Sequence, residues 1–232
     1  MEAVRSPWLL AFGVVTVVHL ALNAADAAPW DSITKCLLAP LLIGWVAQLG
    51  GPRLLVLALV GCFLGDLFLE LPEAWFPVGM AAFAAAHVCF IRFFVQRGAL
   101  ARLRRRPWIV LVYGAAAVAM IAWCWGGLAD DIRPLVPVYA ALLAGTAATA
   151  LAVDVRAGLG GLLFLVSDGI IAASEAGRLD PDAVGTGLAI MALYIGAIFL
   201  LTTGILDKER RTLAASDVEP SARTDCWPRM PA

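Results

Sequence analysis

Leu54–Leu71 reads LLVLALVGCFLGDLFLEL, an apolar run of the length that a bilayer-spanning helix needs. Asp66 lies inside it, preceded by Gly61 and Gly65. A carboxylate at such depth costs roughly 2.5–3.5 kcal/mol on insertion scales, so it is rarely there without a role. A second stretch, Gly158–Ala176 (GLGGLLFLVSDGIIAASEA), repeats the pattern with Asp168. Any reading of fold or function has to account for these two intramembrane aspartates.

The rest of the composition agrees with a membrane protein. The chain is 62% hydrophobic and 15% charged, whereas soluble domains run about 45–50% and about 25%. The net charge of −1 gives no field that would attract a nucleic acid. The five cysteines (36, 62, 89, 124 and 226) show no paired spacing, and four of them lie in apolar stretches. Those four read as small hydrophobic packing residues.

Working outward from Leu54–Leu71, eight candidate spans emerge at about 7–25, 33–49, 54–71, 74–95, 108–128, 134–153, 158–176 and 184–206. The connections between them are short and carry Gly, Pro, Asp and Arg, which mark turns. The expected fold is all-α: a multi-pass bundle of eight transmembrane helices over residues 1–206, followed by a disordered cytoplasmic tail at 207–232. Arg5 before the first span and Ala25-Asp26-Ala27 after it also permit a signal-peptide reading. The length of that run and the loop charges favour a retained span.

Orientation follows from Lys and Arg in the loops. With the N-terminus inside, fourteen of the seventeen cations fall inside, including Arg102, Arg104, Arg105 and Arg106. Only Lys35, Arg133 and Arg178 fall outside, among Asp26, Asp31, Glu70, Glu73, Asp130, Asp131, Asp180 and Asp182. The expectation is a cell-membrane protein with both termini cytoplasmic. The arginine cluster reads as a topology signal, or as a site for anionic lipid headgroups.

Several polar residues join the aspartates inside the spans. Glu70 is four residues beyond Asp66 and Glu175 seven beyond Asp168, so each pair shares a helix face. Lys35 opens the second span, His87 lies in the fourth, Ser167 adjoins Asp168, and Tyr194 lies in the last span. Such faces should point into a protein cavity rather than lipid. Each residue also has a structural reading. Asp66 with Lys35 could be a buried ion pair, and His87 could bond a backbone carbonyl. Ser167 could back-bond within its helix, His19 could be interfacial, and Tyr194 an ordinary buried phenol.

Two histidines are too few for a three-histidine zinc site, and no metal or cofactor is expected. No nucleophile elbow or phosphate-binding loop is present. What remains is a carboxylate pair in a low-dielectric setting. One carboxyl held neutral and one held ionised divide acid and base roles. That division suits hydrolysis through an oxocarbenium ion. A proton-coupled transporter would use the same pair, and a structural protein would use it only to fix helix register.

Five segments come in the order and spacing of one family: Thr34–Pro40 (TKCLLAP), Leu64-Gly65-Asp66, Ala82–His87 (AFAAAH), Leu163–Asp168 (LFLVSD) and Met191–Tyr194 (MALY). From about Ile33 to Leu206 the chain resembles the YhhN family, the lysoplasmalogenases. The resemblance implies a multi-pass hydrolase that cleaves the vinyl ether of a lysoplasmalogen. The products would be a fatty aldehyde and glycerophosphoethanolamine or glycerophosphocholine. It implies Asp66 and Asp168 as catalytic, with Lys35, His87, Ser167 and Tyr194 around a lysophospholipid substrate. The chain departs from the family at Cys36, where relatives often have Pro, and at Phe90, where many have Tyr. Ile195 and Ile198 replace a second Tyr and a polar residue. The departures fall in the expected cavity lining.

Overall fold

A computed structural model of the chain describes residues 6–181 and 183–218. The expectations that concern Arg5, Asp182 and residues 219–232 lie outside the described residues. Among the described residues there are helices and turns and no strands. The long helices are α1 (Pro7–Ala24), α2 (Trp30–Gln48), α3 (Arg53–Leu69) and α4 (Phe76–Gln96). The short α5 (Ala99–Arg105) leads into α6 (Trp108–Cys124), α7 (Val136–Val153), α8 (Val155–Glu175) and α9 (Val184–Val218).

Proline places several helix starts. It stands in the first turn of α1, α4 and α7, where its missing N–H has no intrahelical partner to lose. Between α7 and α8 the chain reverses at a single residue. Asp154, in extended conformation, ends α7, and its carboxylate accepts from Ala157 N at 3.0 Å to cap α8.

Among the described residues, seven helices are long and apolar enough to cross a membrane. The remaining long helix, α3, has 17 residues, which is at the short end of spanning lengths. The count of eight spans is therefore approximate, while the all-α multi-pass architecture holds. The last helix runs on through Val218, so residues 207–218 are helical where a disordered tail was expected. The reason is local. Asp207 pairs with Arg156 at 2.5 Å and Glu209 pairs with Arg97, which ties the extension to α8 and α4.

Side-chain contacts sort the bundle into two ends. At one, Ser6 bonds Gln48 at 2.5 Å, and Arg97, Arg102 and Arg156 reach Glu209, the Ala152 carbonyl and Asp207. We call this the basic end. At the other, Lys35 meets Glu70 and Arg133 meets Asp130. We call this the acidic end. The core that joins α2, α3, α4 and α9 is aliphatic and aromatic, with Leu38, Leu42, Leu59, Phe90, Phe94, Ile198 and Leu201 fully buried.

Candidate active site

A cavity of about 330 Å³ opens inside the half of the bundle nearer the acidic end. Its walls are overwhelmingly apolar, and its few polar residues include Lys35, Asp66, Tyr139, Ser167, Asp168, Glu175 and Tyr194. The two aspartates, 102 positions apart, thus face one chamber from α3 and α8. This is what the cost of exposing a carboxylate to hydrocarbon requires.

Each aspartate is held by a tyrosine. The Tyr194 hydroxyl, from α9, donates to Asp66 Oδ2 at 2.6 Å. The Tyr139 hydroxyl, from α7, donates to Asp168 Oδ2. Asp66 is buried and Asp168 half-buried. Each phenol thus fixes the orientation of its carboxyl group.

The two tyrosines stand on a shared aromatic frame. Tyr194 packs edge-on against Phe164, with ring centroids 5.5 Å apart, and against Phe83 at 5.9 Å. Phe164 packs edge-on against His87 at 4.6 Å, and His87 against Tyr139 at 5.9 Å. Edge-to-face contacts of this kind prefer defined angles. The frame therefore runs continuously from one dyad to the other.

The other expected site residues divide. Lys35 lines the cavity and forms its ion pair with Glu70, at 2.7 Å, one helical turn beyond Asp66. The ion pair considered from the sequence was with Asp66. A long lysine stem instead carries the ammonium toward the end of the bundle. Ser167 lines the cavity, but its hydroxyl donates to the Ile190 carbonyl at 3.0 Å. It thus clamps α8 to α9. His87 is fully buried and is not among the residues lining the cavity. Its Nδ1 bonds Thr146 Oγ1 at 3.1 Å, which places it behind the wall as a support of Tyr139 and Phe164. His19 is structural: Thr34 Oγ1 and the Asp31 carbonyl lie 3.0 and 3.1 Å from its Nδ1.

Tyr139 is the site residue that sequence reasoning missed. Phe90, Ile195 and Ile198 are buried in the apolar core and are not among the lining residues. The departures at these positions change core packing rather than the cavity wall. Among the described residues no group of His, Cys, Asp and Glu is arranged to hold a metal ion.

Comparison with known proteins gives a consistent result. The profile of the YhhN family matches residues 30–205. Human lysoplasmalogenase TMEM86B is 32% identical over 205 residues, covering 86% of this chain and 86% of its own length. The rat protein of the same name is 30% identical over 205 residues, covering 86% and 84%. A lysoplasmalogenase of Mycobacterium bovis is 31% identical over 165 residues, covering 66% and 60%. No solved structure matches the chain significantly.

Proposed function

The chain belongs to the YhhN family, and from that premise we propose that it is a lysoplasmalogenase-type hydrolase acting on a vinyl ether lipid within the membrane. The observation that carries this reading is the pair of tyrosine-held aspartates facing one apolar cavity. Relatives named lysoplasmalogenase support the reaction class and a lysoplasmalogen-type substrate.

The chemistry follows from the arrangement. A vinyl ether is protonated at the carbon beta to oxygen, which leaves an oxocarbenium ion. We assign the proton donor to Asp168, which has no cation beside it in the cavity. Asp66 shares its end of the cavity with Lys35, whose charge favours the carboxylate. The Asp66 carboxylate stabilises the cation and takes a proton from water as the water oxygen bonds to the cationic carbon. The hemiacetal then collapses: Asp66 passes the proton taken from water to the glycerol oxygen as the carbon–oxygen bond to glycerol breaks, the hemiacetal hydroxyl gives its proton to the Asp168 carboxylate, and the aldehyde forms with both carboxyl groups back in their starting states. The net change is the addition of one water. An apolar cavity wall strengthens each electrostatic contact in this sequence.

Lys35 has three donors, and Glu70 uses one. The others suit the phosphate of a lysophospholipid headgroup entering from the acidic end. By the positive-inside rule that end faces outward in the plasma membrane, with both termini in the cytoplasm. External labelling of a cysteine placed at Asp130, in a background lacking other cysteines, tests the orientation; protection there with labelling at Ser221 would reverse it.

The activity itself is tested with purified protein and a panel of lysophospholipids. Stoichiometric fatty aldehyde is expected from 1-alkenyl lysolipids and none from 1-acyl ones. A proton-driven flux in liposomes without aldehyde release would favour the transporter reading instead.

A further inference from the structure

The cavity is too small for the substrate the proposed function implies. At about 330 Å³ it lies at the low end of the roughly 300–1,000 Å³ typical of sites that enclose drug-sized ligands. A headgroup, a vinyl ether and a long hydrocarbon chain together exceed it. Some of the chain has to lie outside, and the structure shows where the wall gives way.

The α6 and α8 helices both pack on α7. Tyr113 and Ala117 of α6 join Ala144, Ala147 and Ala148 of α7 in one cluster. On α8, a Cβ at Gly161 would stand 2.7 Å from Ala147 Cα, so that helix pair is also tight. Nearer the acidic end, α6 and α8 meet each other. Met120 Cε lies 2.9 Å from where a Cβ of Gly169 would be, directly beside Asp168. Toward the middle of the bundle they part. Leu162 and Val166, one helical turn apart on α8, both line the cavity and are 37% and 42% exposed, and they continue the helix stripe of Val155 and Leu159, which are exposed and outside the cavity lining. Ala116 of α6 likewise lines the cavity and is exposed. Residues that are at once cavity wall and membrane-facing surface mark an opening.

We propose that this opening, between the middles of α6 and α8 and floored by α7, is the subsite for the substrate's alkenyl tail. The chain leaves the cavity sideways into the bilayer, passing on the basic-end side of the Met120–Gly169 contact. The occupant is argued from continuity: the groove runs into the chamber that holds Asp66 and Asp168, and every residue at its mouth is apolar. The hydrocarbon therefore exchanges one apolar environment for another as it enters, and only the headgroup has to leave its place among its neighbours. Leu162 and Val166 then set how much chain the site accepts.

This proposal rests on the hydrolase reading, and its test separates the two. Leu162→Trp and Val166→Trp put a large ring in the mouth while leaving both aspartates and both tyrosines untouched. Each is assayed for aldehyde release from a long-chain lysoplasmalogen and from a short-chain 1-alkenyl glycerophosphoethanolamine that fits within the cavity. The expected result is a fall of about tenfold or more in kcat/KM for the long chain, the scale of effect that overfilling a packed site produces. The loss on the short substrate should be several-fold smaller, so that the long-to-short ratio of kcat/KM falls. Equal losses on both substrates with an unchanged thermal midpoint, or no loss on either, overturn the tail subsite alone. Wild-type protein that cleaves neither substrate overturns the hydrolase reading and this one together. If a Trp variant does not hold its fold, Leu162→Phe, with its smaller ring, makes the same comparison.

Discussion

Asp66→Asn is the perturbation that separates a working carboxylate from a structural one. The change is nearly isosteric, and the amide oxygen can still accept from Tyr194, whose hydroxyl now sits 2.6 Å from Oδ2. What is lost is charge and a titratable proton. A hydrogen bond to a charged group contributes about 1.5–3 kcal/mol and one between neutral groups about 0.5–1.5, so the difference in stability is about 1 kcal/mol. For a domain of this size that is a shift of roughly 2–4 °C in Tm. The catalytic loss is far larger. Removing one acid–base group costs roughly 10²–10⁴ in rate, or about 2.7–5.4 kcal/mol of barrier at 1.36 kcal/mol per decade. Asp168→Asn should behave alike, since Tyr139 can still donate to the amide. The double variant should be little worse than either single one, because groups that act as a unit are not additive. The assay is aldehyde release from a lysoplasmalogen, run beside thermal unfolding in the same detergent. Well-folded Asn variants with near-normal turnover would end the carboxylate-pair mechanism. Large losses of stability with activity surviving in the folded fraction would point to a purely structural pair.

Tyr139→Phe removes the hydroxyl that orients Asp168 but keeps the ring against His87. It should lower kcat by about tenfold, roughly the worth of one hydrogen bond to a charged group, with Tm nearly unchanged; an unchanged kcat would show that the dyad does not matter. Lys35→Met removes the ammonium paired with Glu70 at 2.7 Å. It should raise KM more than it lowers kcat, the pattern of lost ground-state binding, and a pure kcat effect would contradict the phosphate role. Gly160→Val puts a Cβ about where Leu201 N is 2.7 Å away and the Ala197 carbonyl 2.9 Å away, both backbone atoms of α9. Overpacking of this kind costs about 1–3 kcal/mol, so thermal unfolding in detergent should fall by several degrees, and a neutral result would mean that α8 and α9 can part easily.

The long helices and both aspartates were legible in the sequence because each is a local signal: a run of apolar residues, and a charge where none should be. Lys35 and Tyr194 were found for the same reason, as polar groups within apolar spans. Tyr139 was not, because a lone tyrosine close to the end of a span reads as one more member of the interfacial aromatic belt. A signal did exist. Asp154 makes α7 and α8 an immediate hairpin. Tyr139 stands 14 residues before Val153 and Asp168 13 residues after Val155, so the two lie at matching depth on neighbouring helices. The place of His87 could not be read in this way. Whether a buried imidazole faces a cavity or the helix behind it depends on which side of α4 meets α7, and α4 is apolar nearly all round. The choice of Glu70 over Asp66 by Lys35 is likewise a matter of side-chain reach rather than pattern.

The position of the cavity has its own physical cause in how small residues are distributed. Without a hydrophobic force between helices in lipid, close approach depends on glycine and alanine at the contact. The tight contacts draw on them. A Cβ at Gly61 would stand 2.9 Å from the Ala82 carbonyl of α4, and one at Gly204 would stand 2.7 Å from Ala157 N of α8. Gly158 and Gly161 do the same for α8 on α7. On α8, Gly169 faces α6 and is met there by the Met120 side chain rather than by backbone. The close backbone approaches hold α3 on α4 and α8 on α7 and α9, whereas α6 meets α8 beside Asp168 through a side chain. The α6–α8 side of the chamber is thus the one left to side chains, and the path proposed for hydrocarbon runs through it beside Leu162 and Val166.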